Sequence, residues 1–394
     1  VCAEYLLYLQ FSTALRCDRP KNFRYNGERS HVPIAQALDA TVGSSSYSAS
    51  QHAPSSDLRD KRLPQEELVP TLFPEFIDSH REQLEAALGN WTPISPLMGT
   101  ERFNQGLEHA VFPGGKRLRA YLTYVASKLC GTSDEQALKL SCAIEFIHTS
   151  SIILDDLPSM DDADLRRNRP ALHLIYGEGH AILVAVALLN QAYALFADSV
   201  PGNVPAQRLQ QLTTEVTRRI GSVGMIAGQA AELWSSGNDA DGLILESREL
   251  KTTALMRLMM VAGGIVSGSS NQDLEALATF GESLGRAYQI YDDIADAMGN
   301  RQSTGKSVRQ DFRHCRPSIT TGLDREESRR LATGIINSGT DALNRFDNRP
   351  EARLLKSAAA CIVAGFNKTF CSSEPTIQDV RNDARNKELT ITAP

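Results

Sequence analysis

The sequence predicts an all-α fold, a single large helical bundle. Three observations carry that expectation. From about Glu66 onward, apolar residues recur at three- and four-residue spacing almost without interruption. No strand–turn–strand alternation of any length breaks this pattern. Two aspartate clusters, Asp155-Asp156-Leu-Pro-Ser-Met-Asp161 and Asp292-Asp293-Ile-Ala-Asp296, lie inside otherwise helical, apolar sequence. That placement suits a bundle with a polar cavity among its helices.

The elements follow in order. Residues 1–70 form a non-conforming N-terminal extension. Within it the serine-rich stretch Thr41–Asp57 lacks apolar periodicity and is expected to be disordered. Glu4, Asp18, Glu28 and Asp39 make the extension more acidic than a transit peptide. A cytoplasmic location is therefore expected, with organelle targeting by the extension as the alternative. Residues 71–366 are the helical domain and 367–394 a polar, peripheral tail. Phe76-Ile77-x-x-His80-x-x-Leu84-x-x-Ala87-Leu88 has helical spacing and should stop before Gly89-Asn90. Arg119–Leu129 is a second helix, ended by Gly131. Ser133 or Asp134 should cap a long helix running to Leu154. Further helices are expected over Gly179–Ala197, Pro205–Ala231, Ser247–Val266, Gln272–Met298 and Arg325–Asn344.

Bulk properties narrow the function. The chain has 394 residues, 42% of them hydrophobic, enough for a sizeable core. A net charge of −6 and a pI near 5.8 argue against nucleic acid as a partner. The seven cysteines show neither a C-x-x-C pair nor zinc spacing, as expected of reduced thiols. No run of eighteen apolar residues occurs, and Asn190-Gln191 interrupts Ala181–Ala197, so no membrane span is expected.

Neither aspartate cluster is expected in the core, because unpaired carboxylates are too costly to bury. Two carboxylates about 5 Å apart repel by roughly 3 kcal/mol at an effective dielectric of about 20, so cations are expected among them. Arg166 and Arg167 follow the first cluster and Lys306 the second. Carboxylates with separate basic residues suit hard divalent metals bridging protein to phosphate oxygens. Asp292 and Asp296, four apart, share one helix face with Asp293 beside them. Asp155 and Asp161 would lie about 120° apart on an ideal helix. Pro158 argues for a turn that could return Asp161 towards Asp155. Asp162 and Asp164 read as solvated.

Upstream, Phe112-Pro-Gly114-Gly115-Lys116-Arg117-Leu-Arg119 opens a helix. Its glycines would let amides approach an anion that Lys116 and Arg119 share. His148 precedes Asp155 by two turns on the same face. The glycines of Gly224-Met-Ile-Ala-Gly228-Gln229 suggest close helix packing. Lys251-Thr252-Thr253, Gln289 and Thr304-Gly305-Lys306 complete the set.

Together these residues closely resemble the trans-isoprenyl diphosphate synthases, over roughly residues 70 to 350. The resemblance is carried by Gly-Gly-Lys-Arg-Leu-Arg, by Glu145-Phe-Ile-His-Thr-Ser-Ser-Ile-Ile-Leu-Asp-Asp-Leu-Pro-Ser-Met-Asp-Asp-Ala-Asp-Leu-Arg-Arg-Asn-Arg-Pro170, and by Tyr288-Gln-Ile-Tyr-Asp-Asp-Ile-Ala-Asp296. Two inserted residues in the first aspartate motif and His173-x-x-Tyr176-Gly-Glu look most like bacterial carotenoid-pathway geranylgeranyl diphosphate synthases. The resemblance implies an isoprenoid-synthase bundle with a central metal–diphosphate cavity, commonly a homodimer. Asp155, Asp156, Asp161, Asp292, Asp293 and Asp296 would hold Mg²⁺, three ions with diphosphate bound. Arg166, Lys251, Lys306 and Gln289, with Thr252 assisting, would contact an allylic diphosphate (dimethylallyl, geranyl or farnesyl). Lys116, Arg119, His148 and Arg167 would bind isopentenyl diphosphate. Arg316 stands where the family has a second lysine and keeps the charge but not the geometry. Glu232 replaces an aspartate, and Ala120 a proline.

Ser150 and Ser151, one turn before Asp155, stand where family members stopping at fifteen carbons often carry an aromatic plug. This favours a twenty-carbon product; a longer-chain polyprenyl or a farnesyl diphosphate synthase is the alternative. A terpene synthase would not need the isopentenyl-binding set. A non-catalytic regulatory subunit would not be expected to keep both aspartate motifs.

Overall fold

The computed structural model describes residues 71–234, 242–298 and 325–371. The expectations for residues 1–70, 372–394, Lys306 and Arg316 lie outside these. So do the side chains of Asp293 and Asp296, although their backbone is helical.

The described chain runs α1 (Leu72–Trp91), α2 (Glu101–Val111), α3 (Leu118–Leu129), α4 (Asp134–Asp155), β1 (Leu165–Arg166), β2 (Arg169–Pro170) and α5 (Leu172–Tyr176). It continues with α6 (Glu178–Asp198), α7 (Ala206–Ile220), α8 (Met225–Trp234), α9 (Gly242–Ser267), α10 (Asn271–Met298), α11 (Arg325–Ala342), a 3-10 turn (Leu343–Phe346) and α12 (Pro350–Cys371). Among the described residues the only β structure is the two-residue antiparallel ladder β1/β2. The fold is the expected all-α bundle.

Local chemistry explains most boundaries. Ser133 Oγ accepts from the Gln136 amide and the Gln136 side chain accepts from the Ser133 amide, a reciprocal cap that starts α4. Gly131 sits at φ +82, a left-handed conformation that lets the chain leave α3. Several boundaries differ from expectation: α9 starts at Gly242 rather than Ser247, and α11 ends at Ala342 rather than Asn344. α1 runs through Gly89 to Trp91, because the Thr92 amide and hydroxyl both donate to the Leu88 carbonyl, at 2.9 and 2.7 Å. The single helix expected over Pro205–Ala231 is two. α7 ends at Ile220, and a Cβ on Gly224 would fall 2.2 Å from the Arg219 carbonyl oxygen. α12 passes residue 366, the expected end of the helical domain, and reaches Cys371.

α4 is the central helix. It buries Leu140, Ser141, Cys142, Glu145 and Phe146, which point round the whole helix, as a helix surrounded by others must. It packs against α3 and α6. α9 and α10 form a tight antiparallel pair: a Cβ on Gly285 would lie 3.0 Å from Thr253 Cα, and one on Gly281 would lie 2.6 Å from the Met256 carbonyl oxygen. Glycines here permit backbone contact. Continuing that register, Asp292 lies two turns past Gly285, towards the end of α9 that carries Lys251. α12 folds back on α1, where Ser357 Oγ accepts from the Phe73 amide at 3.2 Å.

By length and composition, Asp134–Asp155, Glu178–Asp198 and Glu249–Ser267 are each apolar enough to cross a membrane. The first and third are 67% and 72% buried inside the bundle, which accounts for their hydropathy. Glu178–Asp198 is only 39% buried and presents Ile182, Leu183, Val186 and Tyr193 on its outer face.

Candidate active site

The first aspartate cluster begins where α4 ends. Beyond Asp155 the chain tightens: the Met160 amide donates to Leu157 O at 2.9 Å, Asp162 to Leu157 O at 3.1 Å and Ala163 to Asp156 O at 3.2 Å. The Asp161 amide donates to Asp155 O at 2.9 Å, so the turn folds Asp161 back over Asp155. Asp162 takes a left-handed φ of +47 to make this possible and is exposed, as Asp164 is.

Each of the paired aspartates has a cationic partner. Asp155 accepts from Lys251 Nζ at 3.2 Å and from Gln229 Nε2 at 2.9 Å. Burial opposes its ionisation, but Lys251 and Arg166 outweigh burial and hold its carboxyl below the usual range. Asp156 corrects the expectation that the clusters avoid the interior: it is 3% exposed. What makes this tolerable is Arg166, which reaches both carboxylate oxygens through Nε at 2.9 and 3.1 Å and adds a contact from Nη2. Burial still pushes the Asp156 carboxyl upward, with Arg166 opposing.

Lys251 is not an ordinary surface lysine. It also pairs with Glu232 at 2.5 Å, and these carboxylates raise its pKa against the opposing effect of burial. The close packing expected of Gly228 is present. A Cβ there would fall 2.1 Å from the Lys251 amide nitrogen, so only glycine lets α8 bring Gln229 and Glu232 up to α9.

A second basic group lies beside the first. Arg119 Nη1 is 3.3 Å from His148 Nε2, and its guanidinium stands over the Tyr288 ring at 5.6 Å, tying α3, α4 and α10 together. Arg167 is half-buried. Burial and the nearby charges of Arg117, Arg166 and Arg119, against Glu145 alone, depress its pKa. Such crowded guanidinium groups are suited to a polyanion. Lys116 is exposed on the loop before α3.

The glycine pair has a different local role from the expected anion cradle. A Cβ on Gly114 would fall 1.8 Å from Arg117 Cζ, and one on Gly115 would fall 3.3 Å from Arg167 Nε. The glycines make room for arginines. Arg117 itself is a buried strut, bonded to Glu85 at 2.9 Å, to Glu145 at 2.9 Å and to Val111 O at 2.6 Å. Sequence reasoning gave no role to Arg117 or Tyr288, although both lie in motifs it singled out, and none to Gln229.

In the second cluster Asp292 is exposed on α10. One turn before it, Gln289 Oε1 is buried without a hydrogen-bond partner. Thr252 is half-buried on α9, Ser150 is 2% exposed, and Ser151 Oγ donates to His148 O at 2.9 Å. Among the described residues no three His, Cys, Asp or Glu side chains form a ready metal cluster. The donors are nonetheless hard oxygens, an ionised carboxylate at Asp155 and an orphaned amide oxygen at Gln289, which fits a hard divalent cation.

The polyprenyl synthetase family model matches residues 100–345. The chain is 32% identical over 332 residues to the heterodimeric geranylgeranyl pyrophosphate synthase large subunit 1, chloroplastic, of Arabidopsis thaliana, covering 83% of this chain and 88% of that one. Over 296 residues it is 34% identical to geranylgeranyl pyrophosphate synthase 12, chloroplastic, of the same plant, covering 73% and 81%. A crystal structure of a geranyltransferase from Helicobacter pylori, complexed with magnesium and isoprenyl diphosphate, superposes with a TM-score of 0.63 at 26% identity, over 75% of this chain and 97% of that one. With its helical bundle, its cation-paired aspartates and these matches, the chain belongs to the polyprenyl synthetase family and is a prenyltransferase that elongates isoprenyl diphosphates.

Proposed function

We propose that the protein condenses isopentenyl diphosphate head to tail with an allylic diphosphate (dimethylallyl, geranyl or farnesyl) and releases geranylgeranyl diphosphate. One observation carries this reading: the ionised Asp155 and the Arg166-clamped Asp156 lie beside a separate, crowded pair of guanidinium groups, Arg119 and Arg167, with Lys116 on the loop before α3. One group suits a metal-bound diphosphate, the other a second diphosphate.

Asp155, Asp156, Asp161, Asp292, Asp293 and Asp296 would hold Mg²⁺, three ions in all. When bound, Mg²⁺ supplies Lewis-acid polarisation of the leaving diphosphate. Lys251 and Arg166, with Lys306, Arg316, Thr252 and the Gln289 amide, bind the allylic diphosphate and stabilise its growing charge as the C–O bond ionises. Arg119, His148, Arg167 and Lys116 orient isopentenyl diphosphate so that its double bond captures the allylic cation. The proton then lost passes to the departing diphosphate, so no side-chain base is required.

Ser150 supports the twenty-carbon product: it is a small residue one turn before Asp155, buried at 2% exposure. A second copy of the chain is the proposed partner for the apolar outer face of α6, making a homodimer. Cys130 and Cys142 stand as free thiols, which fits a reducing compartment, the cytoplasm or the interior of an organelle.

The test is purified protein with Mg²⁺, radiolabelled isopentenyl diphosphate and each allylic starter in turn, with the dephosphorylated products sized. A twenty-carbon alcohol is expected. Longer or fifteen-carbon products would keep the chemistry and reject the chain length. No incorporation by folded protein would reject the reading.

A further inference from the structure

Arg169 joins parts of the site that the catalytic roles leave unconnected. In the β1/β2 ladder it pairs directly with Arg166. Its Nη1 donates to Phe112 O at 3.0 Å and its Nη2 lies 2.7 Å from His109 Nδ1. A guanidinium has no acceptor, so the imidazole must accept this bond and Nδ1 must be unprotonated. Pro170, next to Arg169, favours the protonated ring, a smaller effect than those of burial and Arg169. Phe112 opens the loop that carries Lys116, and Gly115 of that loop lies against Arg167. One guanidinium therefore fastens the end of α2, the Lys116 loop and the arginine hairpin together.

We propose that Arg169 and His109 are a positioning pair, which locks the hairpin bearing Arg166 and Arg167 to the loop bearing Lys116 and so keeps the isopentenyl diphosphate subsite in register. The proposal rests on the condensation reading above. Both hydrogen bonds of Arg169 go to protein, so it acts through its neighbours.

The lock depends on the charge of His109. The groups facing the ring are Arg169 from β2 and Tyr176 from α5, edge-on at 5.7 Å, with Arg102 of α2 over the Tyr176 ring at 5.8 Å. Neither Arg169 nor Arg102 favours an imidazolium. Burial first, then Arg169, lowers the His109 pKa. A lowered folded value means that the neutral ring and its bond are fully present above the ordinary value of about 6.5. They are lost as pH falls through the lower folded value.

The experiment compares wild type with His109→Leu, His109→Asn, which keeps an acceptor that does not titrate, and Arg169→Leu. Two readouts are taken: KM for isopentenyl diphosphate and for the allylic substrate across pH, and the His109 pKa by NMR. Losing a hydrogen bond from a charged donor should raise the isopentenyl diphosphate KM about tenfold in His109→Leu and Arg169→Leu, with the allylic KM little changed. His109→Asn should restore the KM and abolish its rise at acid pH. The His109 pKa should increase in Arg169→Leu. An unchanged isopentenyl diphosphate KM in both leucine variants would overturn the proposal, as would equal loss for both substrates. If wild type makes no prenyl product, the condensation reading fails; a His109 pKa raised by Arg169→Leu would still support the lock, and an unchanged one would overturn it.

Discussion

Replacing Arg117 with methionine tests whether the Gly-Gly-Lys-Arg-Leu-Arg motif is partly structural. The Arg117 side chain is fully buried, its partner Glu145 is 3% exposed and its other partner Glu85 is 33% exposed. Methionine fills much of the aliphatic volume but leaves the Glu145 carboxylate buried and unpaired and the Val111 carbonyl without its guanidinium donor. Breaking one side of a buried ion pair costs about 3–5 kcal/mol. At roughly 2 °C per kcal/mol, suitable for a domain of this size, the melting temperature should fall by about 6–10 °C. Circular dichroism melts of wild type, Arg117→Met, Glu145→Gln and the double variant supply the cycle. Because Glu145→Gln removes the stranded charge, the double variant should be more stable than the sum of the singles by about 1–3 kcal/mol. A melting temperature within about 2 °C of wild type, or a coupling near zero, would refute the strut.

Gly228→Ala should cost about 1–3 kcal/mol by overpacking, because its Cβ would fall 2.1 Å from the Lys251 amide nitrogen. Displacing α8 carries Gln229 and Glu232 with it, so kcat should fall further than the loss of folded protein explains, measured by activity per folded molecule. Ser150→Phe should shift the main product from twenty towards fifteen carbons, read by sizing the dephosphorylated alcohols; an unchanged product would move the chain-length control elsewhere. The Cys130 thiol, pushed up to about 11 by burial, and the buried Cys142, also raised, should resist iodoacetamide in the native protein at about pH 8 and react on unfolding, as intact mass will show.

What could be read from the sequence was whatever local chemistry dictates. Ser133 was one of two cap candidates at the start of α4, and Pro158 announced the turn that folds Asp161 back on Asp155; the return bond from Gln136 was not foreseen. α2 and α12 were not anticipated. Nor was the break between α7 and α8, where Gly224 is required by the Arg218 and Arg219 carbonyl oxygens. The struts were hidden for a different reason. Arg117 meets Glu85 and Glu145, and Arg169 meets His109, only because tertiary structure brings distant charges together. The glycines of the Lys116 loop illustrate the ambiguity: the sequence shows that space is needed there, but not that guanidinium groups occupy it.

The pairing of aspartates with basic side chains might look like a cancellation of the charges that the chemistry needs, but donor arithmetic argues otherwise. Arg166 has five N–H groups, and Asp156 engages those on Nε and Nη2. Both hydrogens of Nη1 remain, so Arg166 can hold an anion without releasing Asp156. Releasing Asp156 would be costly, since it is 3% exposed and a buried carboxylate without its partner loses several kcal/mol. Lys251 has three donors, shared between Asp155 and Glu232. If Asp155 turns its oxygens to another cation, Lys251 keeps Glu232 as its counter-charge and is not stranded. Glu232 therefore does more than stand in for an aspartate. In the proposed reaction it would let Lys251 pass from the Asp155 carboxylate to a phosphate without losing its counter-charge, while Arg166 stays on Asp156. One aspartate of the pair is thereby free to change partners, and the other anchors the end of α4 that positions it.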